Sequence, residues 1–181
     1  MPGRWQPLLE EVARERHGRL VGYALLLTAS RADAEDLVQD ALVSVFVGRA
    51  RFATAAEAEA YVRRAIVSRF IDTGRRRTRE RRALTQSAGD GQATVPAPDG
   101  LPLDIQRALA GLGPRERACV VLRHVEDLSV RETASLLGLS EGAVKRYTSD
   151  GVARMNAALG TTVDDRPEQT VPVTRSQGGA R

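Results

Sequence analysis

The sequence predicts an all-α protein: two small helical domains joined by a flexible linker. Three observations carry that expectation. Apolar residues recur at three- and four-residue steps through nearly every segment able to build a core. No alternating apolar–polar run is long enough for a sheet. One stretch, 85–102, holds three Pro and three Gly with almost nothing to bury, as a linker does. The expected layout is an N-terminal arm (1–17), a first domain (18–82), a linker (83–102), a second domain (103–159) and a disordered tail (160–181).

The first domain opens on a mostly apolar run over 18–29, read as a buried helix, and Ser30 precedes a polar turn. The next helix is the clearest in the chain. Ala34, Leu37, Val38, Ala41, Leu42, Val45 and Phe46 form one continuous apolar face. Asp33, Asp36 and Asp40 recur at the same steps on another face, and Gly48 ends the helix. After a connection at 48–56, a third helix starts near Glu57, where acidic side chains suit a helix N-terminus. It runs through Tyr61, Val62, Ala65, Ile66, Phe70 and Ile71 into an arginine cluster at 75–82. Three or four short helices are expected beyond the linker, near 103–111, 114–126, 130–138 and 141–158.

Composition narrows the function. The 181 residues are 42% hydrophobic but only 4% aromatic, so the core must be built of Leu, Val, Ala and Ile. No stretch reaches the roughly 18 apolar residues of a membrane span. The N-terminus lacks an apolar run with a small-residue cleavage site, so the cytoplasm is the expected compartment. Cys119 is the single cysteine, and only His17 and His124 could join it, so neither a disulfide nor a metal or other cofactor is expected. Nine arginines lie between Arg63 and Arg82 against Asp72 and Glu80, a local net of +7 in a chain of net +4. Such a concentration suits a polyanion, or else a solvated arm.

The most specific pattern lies at 130–149. A helix-turn-helix needs a small residue where its helices cross, then a turn residue tolerant of positive φ, then an apolar residue that seats the second helix. Ala134, Gly138 and Val144 have that spacing. Ser140 or Glu141 starts the second helix. Lys145, Arg146, Tyr147 and Arg154 are the side chains it offers to base edges and phosphates. Asp150 and Gly151 are discordant, since Asp repels phosphate and Gly costs about 1 kcal/mol in a helix interior.

Two segments resemble the sigma-70 family of bacterial RNA polymerase sigma factors. Asp33-Ala34-Glu35-Asp36-Leu37-Val38-Gln39-Asp40 is similar to sigma region 2. Leu112-Gly113-Pro114-Arg115-Glu116-Arg117, Val121-Leu122-Arg123, Asp127-Leu128-Ser129 and Ser140 through Lys145 are similar to region 4. Two such domains without a third resemble group 4, the extracytoplasmic-function (ECF) sigma factors.

The resemblance implies a non-enzymatic subunit that binds core RNA polymerase and directs promoter-specific initiation. Asp36, Gln39 and Asp40 match the residues that dock on a coiled coil of the largest catalytic subunit. The flap of the second-largest subunit is the other implied contact. Promoter DNA is the implied ligand, with −10 recognition and melting assigned to Tyr61, Arg63, Arg64, Arg69, Arg75, Arg76 and Arg77. Phe70 is either a stacking ring or core. The loop at 48–56, with Arg49 and Arg51, matches the base-capturing loop. Lys145, Arg146, Tyr147 and Arg154 are assigned to −35 DNA. Val67-Ser68 and Tyr147 with Asp150 depart from frequent family residues. An anti-sigma factor is a common partner in the family, although no residue here announces one.

A stand-alone regulator with a LuxR-type helix-turn-helix is the alternative, because 114–117 and 140–146 also resemble that output domain. The acidic helix at 33–40 discriminates, since a simple repressor has no use for it. An enzyme would need paired carboxylates or a nucleophile with its base. Asp36 and Asp40 have no third ligand nearby in sequence.

Overall fold

The computed structural model describes residues 6–28, 30–48, 50–83 and 102–160, with side chains of 77–83 excepted. The expected linker beyond Ala83, the tail beyond Gly160, Trp5 and Arg49 therefore lie outside the described residues. Eight α-helices and no strand occur among them. They are α1 (Gln6–Glu15), α2 (His17–Leu25), α3 (Arg31–Val47), α4 (Ala55–Ala83), α5 (Leu103–Ala110), α6 (Pro114–His124), α7 (Val130–Leu137) and α8 (Glu141–Leu159).

The helix ends follow from local chemistry. A helix leaves its first N–H groups without partners, and a hydroxyl just before it can accept from one of them. Ser30 accepts from the Asp33 amide at 3.0 Å and so starts α3. Thr54 accepts from the Glu57 amide at 3.2 Å, while the Glu57 carboxylate accepts from the Ala53 amide. This places the start of α4 at Ala55, two residues ahead of the expected Glu57. Ser129 and Glu132 form a reciprocal capping box at α7, with bonds of 3.2 and 2.8 Å. Ser140 accepts from the Ala143 amide at 3.2 Å, so Ser140 rather than Glu141 caps α8. Gly138 ends α7 at φ 61° and ψ 44°, the left-handed region that glycine enters at least cost.

The first four helices bury Leu9 and Val12 of α1, Leu20 and Ala24 of α2, Val38 and Ala41 of α3, and Val62 and Ile66 of α4. Each buried Leu, Val or Ile among them stabilises the fold by roughly 1.5–3 kcal/mol relative to exposure. Residues 6–15 thus belong to this packing as a helix, a correction to the arm expected at 1–17. Leu9 and Val12 sit on one side of α1 and need a wall, which α4 supplies. Phe46 is a second correction. It follows the periodicity of the α3 apolar face yet is 44% exposed, beside Val43 and Val47.

The last four helices pack α5, α6 and α7 around α8. Their core does not stand alone. Ala118, Cys119, Val121, Leu122, Leu137 and Val144 continue the apolar cluster of the first four helices. Leu26 of the α2 end also packs with Leu109, Leu112 and Val120. α4 is the shared element: one side packs on α1, α2 and α3, and another meets α6 and α7.

Candidate nucleic-acid and partner interfaces

On α3 the side chains of Ala34, Leu37, Val38 and Ala41 face the core, which leaves Asp36, Gln39 and Asp40 exposed together. Asp36, Asp40, Val43 and Val47 follow one another at four-, three- and four-residue steps, so they share a side of the helix. The stripe is acidic toward the N-terminus and apolar toward the C-terminus. Val43 and Val47 are 57% and 74% exposed.

On α4 the expected DNA-facing set divides. Tyr61 is exposed and meets Phe52 of the preceding loop edge-on, ring centroids 5.3 Å apart. Arg64, Arg69 and Arg76 are exposed, as is Arg51 in the loop. Phe70 is half-buried against the core, which makes it a packing residue. Arg63 does not reach outward. It donates to Glu59 at 2.6 Å and to Glu126, in the α6–α7 turn, at 3.2 Å, and it lies over the Tyr23 ring. Arg75 donates to the Leu137 carbonyl at 3.2 Å and lies 3.7 Å from Asp72. Arg77 has its backbone in α4, but its side chain lies outside the described residues.

The geometry at α8 also divides the expected set. Lys145 and Arg146 are exposed. Tyr147 is half-buried against the core, with Arg146 stacked over its ring and Arg115 donating to its hydroxyl at 3.4 Å. Arg154 is exposed and pairs with Glu116 of α6 at 3.0 Å. That carboxylate also accepts from the Gly113 amide at 3.0 Å, so one side chain caps α6 and anchors α8. Gly151 has a reason that its sequence context hides. A Cβ added there would stand 2.7 Å from Val120 Cγ2 and 3.5 Å from Glu116 Cβ. The glycine lets α8 lie directly on α6.

Three buried ionic groups escaped the sequence analysis. Glu59 is almost fully buried and accepts from both Arg16 and Arg63. Burial alone would raise its carboxyl, but the bonds from Arg16 and Arg63 outweigh that and hold it below the ordinary range. Glu126 accepts from the other terminal nitrogen of the same Arg63. Arg117 has three carbonyls as partners: Leu27 at 2.6 Å, Ala110 at 2.8 Å and Leu112 at 3.2 Å. These lie at or just past the ends of α2 and α5, where carbonyls lack helical partners and the dipole is negative. Burial lowers the Arg117 guanidinium to about 10. None of the three announces itself locally, because each depends on at least one partner 43 to 90 residues away. Cys119 is fully buried and its thiol is pushed up to about 11, which makes it a core residue and a poor nucleophile.

Among the described residues no cluster of His, Cys, Asp and Glu could hold a metal ion, and no helix is long and apolar enough to cross a membrane.

Comparison with known proteins finds a family match for each group of helices. Residues 12–80 match the Sigma-70 region 2 family, and residues 103–155 match the Sigma-70, region 4 family. The RNA polymerase sigma-E factor of Streptomyces avermitilis is 35% identical over 153 residues, 83% of this chain and 84% of that protein. The ECF RNA polymerase sigma factor SigM of Mycobacterium tuberculosis is 30% identical over 156 residues, 83% of this chain and 76% of its own length. Among solved structures, the sigma factor RpoE of Bartonella quintana, in complex with the anti-sigma factor NepR, superposes with a TM-score of 0.63. It is 26% identical and covers 87% of this chain and 97% of its own.

Proposed function

This chain belongs to the sigma-70 family of RNA polymerase sigma factors, in the ECF group, and from that premise we propose how its surfaces divide the work of promoter-directed initiation. The α3 stripe docks on a basic coiled coil of the largest polymerase subunit. Asp36 and Asp40 supply charge complementarity, Gln39 a hydrogen bond, and Val43, Phe46 and Val47 apolar area. The flap of the second-largest subunit holds the second four-helix group.

Tyr61 offers a stacking face to an unpaired −10 base, and Arg64, Arg69 and Arg76 hold the flanking backbone. Lys145 and Arg146 read −35 DNA. Tyr147 shapes the base of that helix, and Arg154 fixes its seat on α6. The chain performs no bond chemistry itself; nucleotide addition belongs to the polymerase. An anti-sigma factor belongs to the same proposal, as does action in the cytoplasm. A module this small with few base contacts binds DNA weakly alone. Selectivity therefore arises when polymerase holds both groups at fixed spacing, through effective concentration.

The observation that carries this reading is the exposed acidic stripe standing in the same chain as a helix-turn-helix. A LuxR-type regulator has no use for the stripe, and the region 2 match over 12–80 leaves that alternative without support. Asp36→Arg with Asp40→Arg should abolish pull-down of core polymerase and run-off transcription without changing helix content. A double variant that binds polymerase like the parent would refute the docking assignment.

A further inference from the structure

Of the two discordant residues of α8, Gly151 is explained by its contact with Val120, and Asp150 is not. Gly142, Arg146, Ser149, Asp150 and Ala153 fall on one side of α8 by the helical period, and all five are exposed. Val144 and Gly151, on the other side, are buried. Asp150 therefore shares the outward ridge with Arg146.

Two cations stand four residues from Asp150, the spacing at which a helix pairs opposite charges. Both are held elsewhere. Arg146 lies over the Tyr147 ring, 5.1 Å from its centroid. Arg154 pairs with Glu116 of α6 at 3.0 Å. Among the described residues, no hydrogen bond or ion pair engages the Asp150 carboxylate. The fold gains nothing from an acid there. Asp is a weak helix former, and the middle of a 19-residue helix is remote from the N-terminal dipole.

An ionised carboxylate only accepts hydrogen bonds. Among phosphates it is repelled unless a donor meets it. In the major groove guanine shows only acceptors, and thymine shows an acceptor and a methyl group. Adenine sets its N7 acceptor beside its amine. Cytosine alone offers an amine with no acceptor next to it.

We propose that Asp150 is a base-selecting residue, whose carboxylate accepts a hydrogen bond from the N4 amine of one cytosine in the −35 element. This deepens the reading of α8 given above and rests on it. Four residues of helix rise about 6 Å, and base pairs are about 3.4 Å apart. The cytosine thus lies one or two base pairs from the pair that Arg146 meets. Selection works by exclusion as well, since every other base sets an acceptor against the charge.

The test is run-off transcription with core polymerase on templates in which each −35 base pair is changed singly to all four bases. With the parent chain, one position should favour cytosine over each alternative by at least about fivefold. Asp150→Asn keeps the size of the side chain but adds a donor, and should move the preference at that position from cytosine to adenine, which an amide meets through N6 and N7. Asp150→Ala should make the position indifferent while the other positions keep their profile. Identical base profiles for parent and Asp150→Asn would overturn the proposal, and so would a loss spread evenly over all positions, which marks a structural role. The isolated full-length chains, selecting from a random duplex library at about 50 mM salt, supply an arm without polymerase. If the parent yields no transcripts on any template, the sigma reading fails. The duplex selection then judges Asp150 by itself: the same shift from cytosine to adenine upholds it, and identical selected sets overturn it.

Discussion

Gly151→Ala puts a methyl group where none fits. The added Cβ would stand 2.7 Å from Val120 Cγ2, and the Glu116 backbone carbonyl lies 3.5 Å away on the same side. Val120 is buried, so its methyl cannot swing into solvent. Forcing a methylene into a packed contact costs about 1–3 kcal/mol, whereas replacing Gly by Ala in a helix returns about 1 kcal/mol. The net loss is about 1 kcal/mol, which lowers Tm by about 2–4 °C in a chain of this size. Urea unfolding of the parent, Gly151→Ala, Val120→Ala and the double variant forms the test. Val120→Ala alone removes packing and costs about 2 kcal/mol. In the double variant the two methyl groups no longer collide, so the combined cost should fall short of the sum by about 1 kcal/mol. Additive costs, or a Gly151→Ala variant more stable than the parent, would mean that α8 does not rest on α6 through this glycine.

Three further outcomes are expected. Lys145→Ala with Arg146→Ala should flatten the −35 dependence of transcription and lower the slope of log K against log salt by about 2, at about 0.9 per lost phosphate contact; an unaltered footprint would place the contacts elsewhere. Gly138→Ala should destabilise the second four-helix group by about 1 kcal/mol, because φ of 61° strains any residue with a Cβ; equal denaturation midpoints would remove the turn from the argument. The Glu59 carboxyl is held below its ordinary 4.5 in the folded chain. Its stabilisation is therefore complete above that value and is lost as pH falls through the depressed folded value. Glu59→Gln should cost about 1–2 kcal/mol at pH 7 through lost charge-assisted hydrogen bonds, and the gap from the parent should close as pH falls through the depressed folded value. A gap that is constant with pH would remove the ionised carboxylate from the account.

Much of the architecture was legible because its punctuation is local. Gly138 and Ser140 stop and start helices with their own atoms where the sequence marks them, whereas the capping roles of Ser30 and Ser129 came only with the structure. The acidic side of α3 was legible for the same reason, since periodicity assigns residues to sides of a helix. Periodicity does not say where the neighbouring wall ends, and so Phe46 was expected inside and lies outside. α1 was missed although Leu9 and Val12 have helical spacing, because two apolar positions among charges mean little until α4 is there to receive them. The division of the arginines was not legible at all. Arg63 and Arg64 are adjacent and chemically alike, yet one faces Glu126 and the other solvent. Gly151 looked like a weakness of α8 because the cost of glycine is local and its reason, Val120, lies 31 residues away in the chain.

The seat of Arg117 has a bearing on how this protein responds to its ionic surroundings. A half-buried cation held by three carbonyls is screened by mobile ions less than a side chain wholly in water, because screening acts chiefly on charges in contact with water. On the reading proposed above, Lys145, Arg146 and the outward arginines of α4 would hold phosphates at the water-exposed surface and surrender that hold as salt rises. Rising salt would thus loosen the proposed nucleic-acid hold while disturbing the Arg117 seat far less.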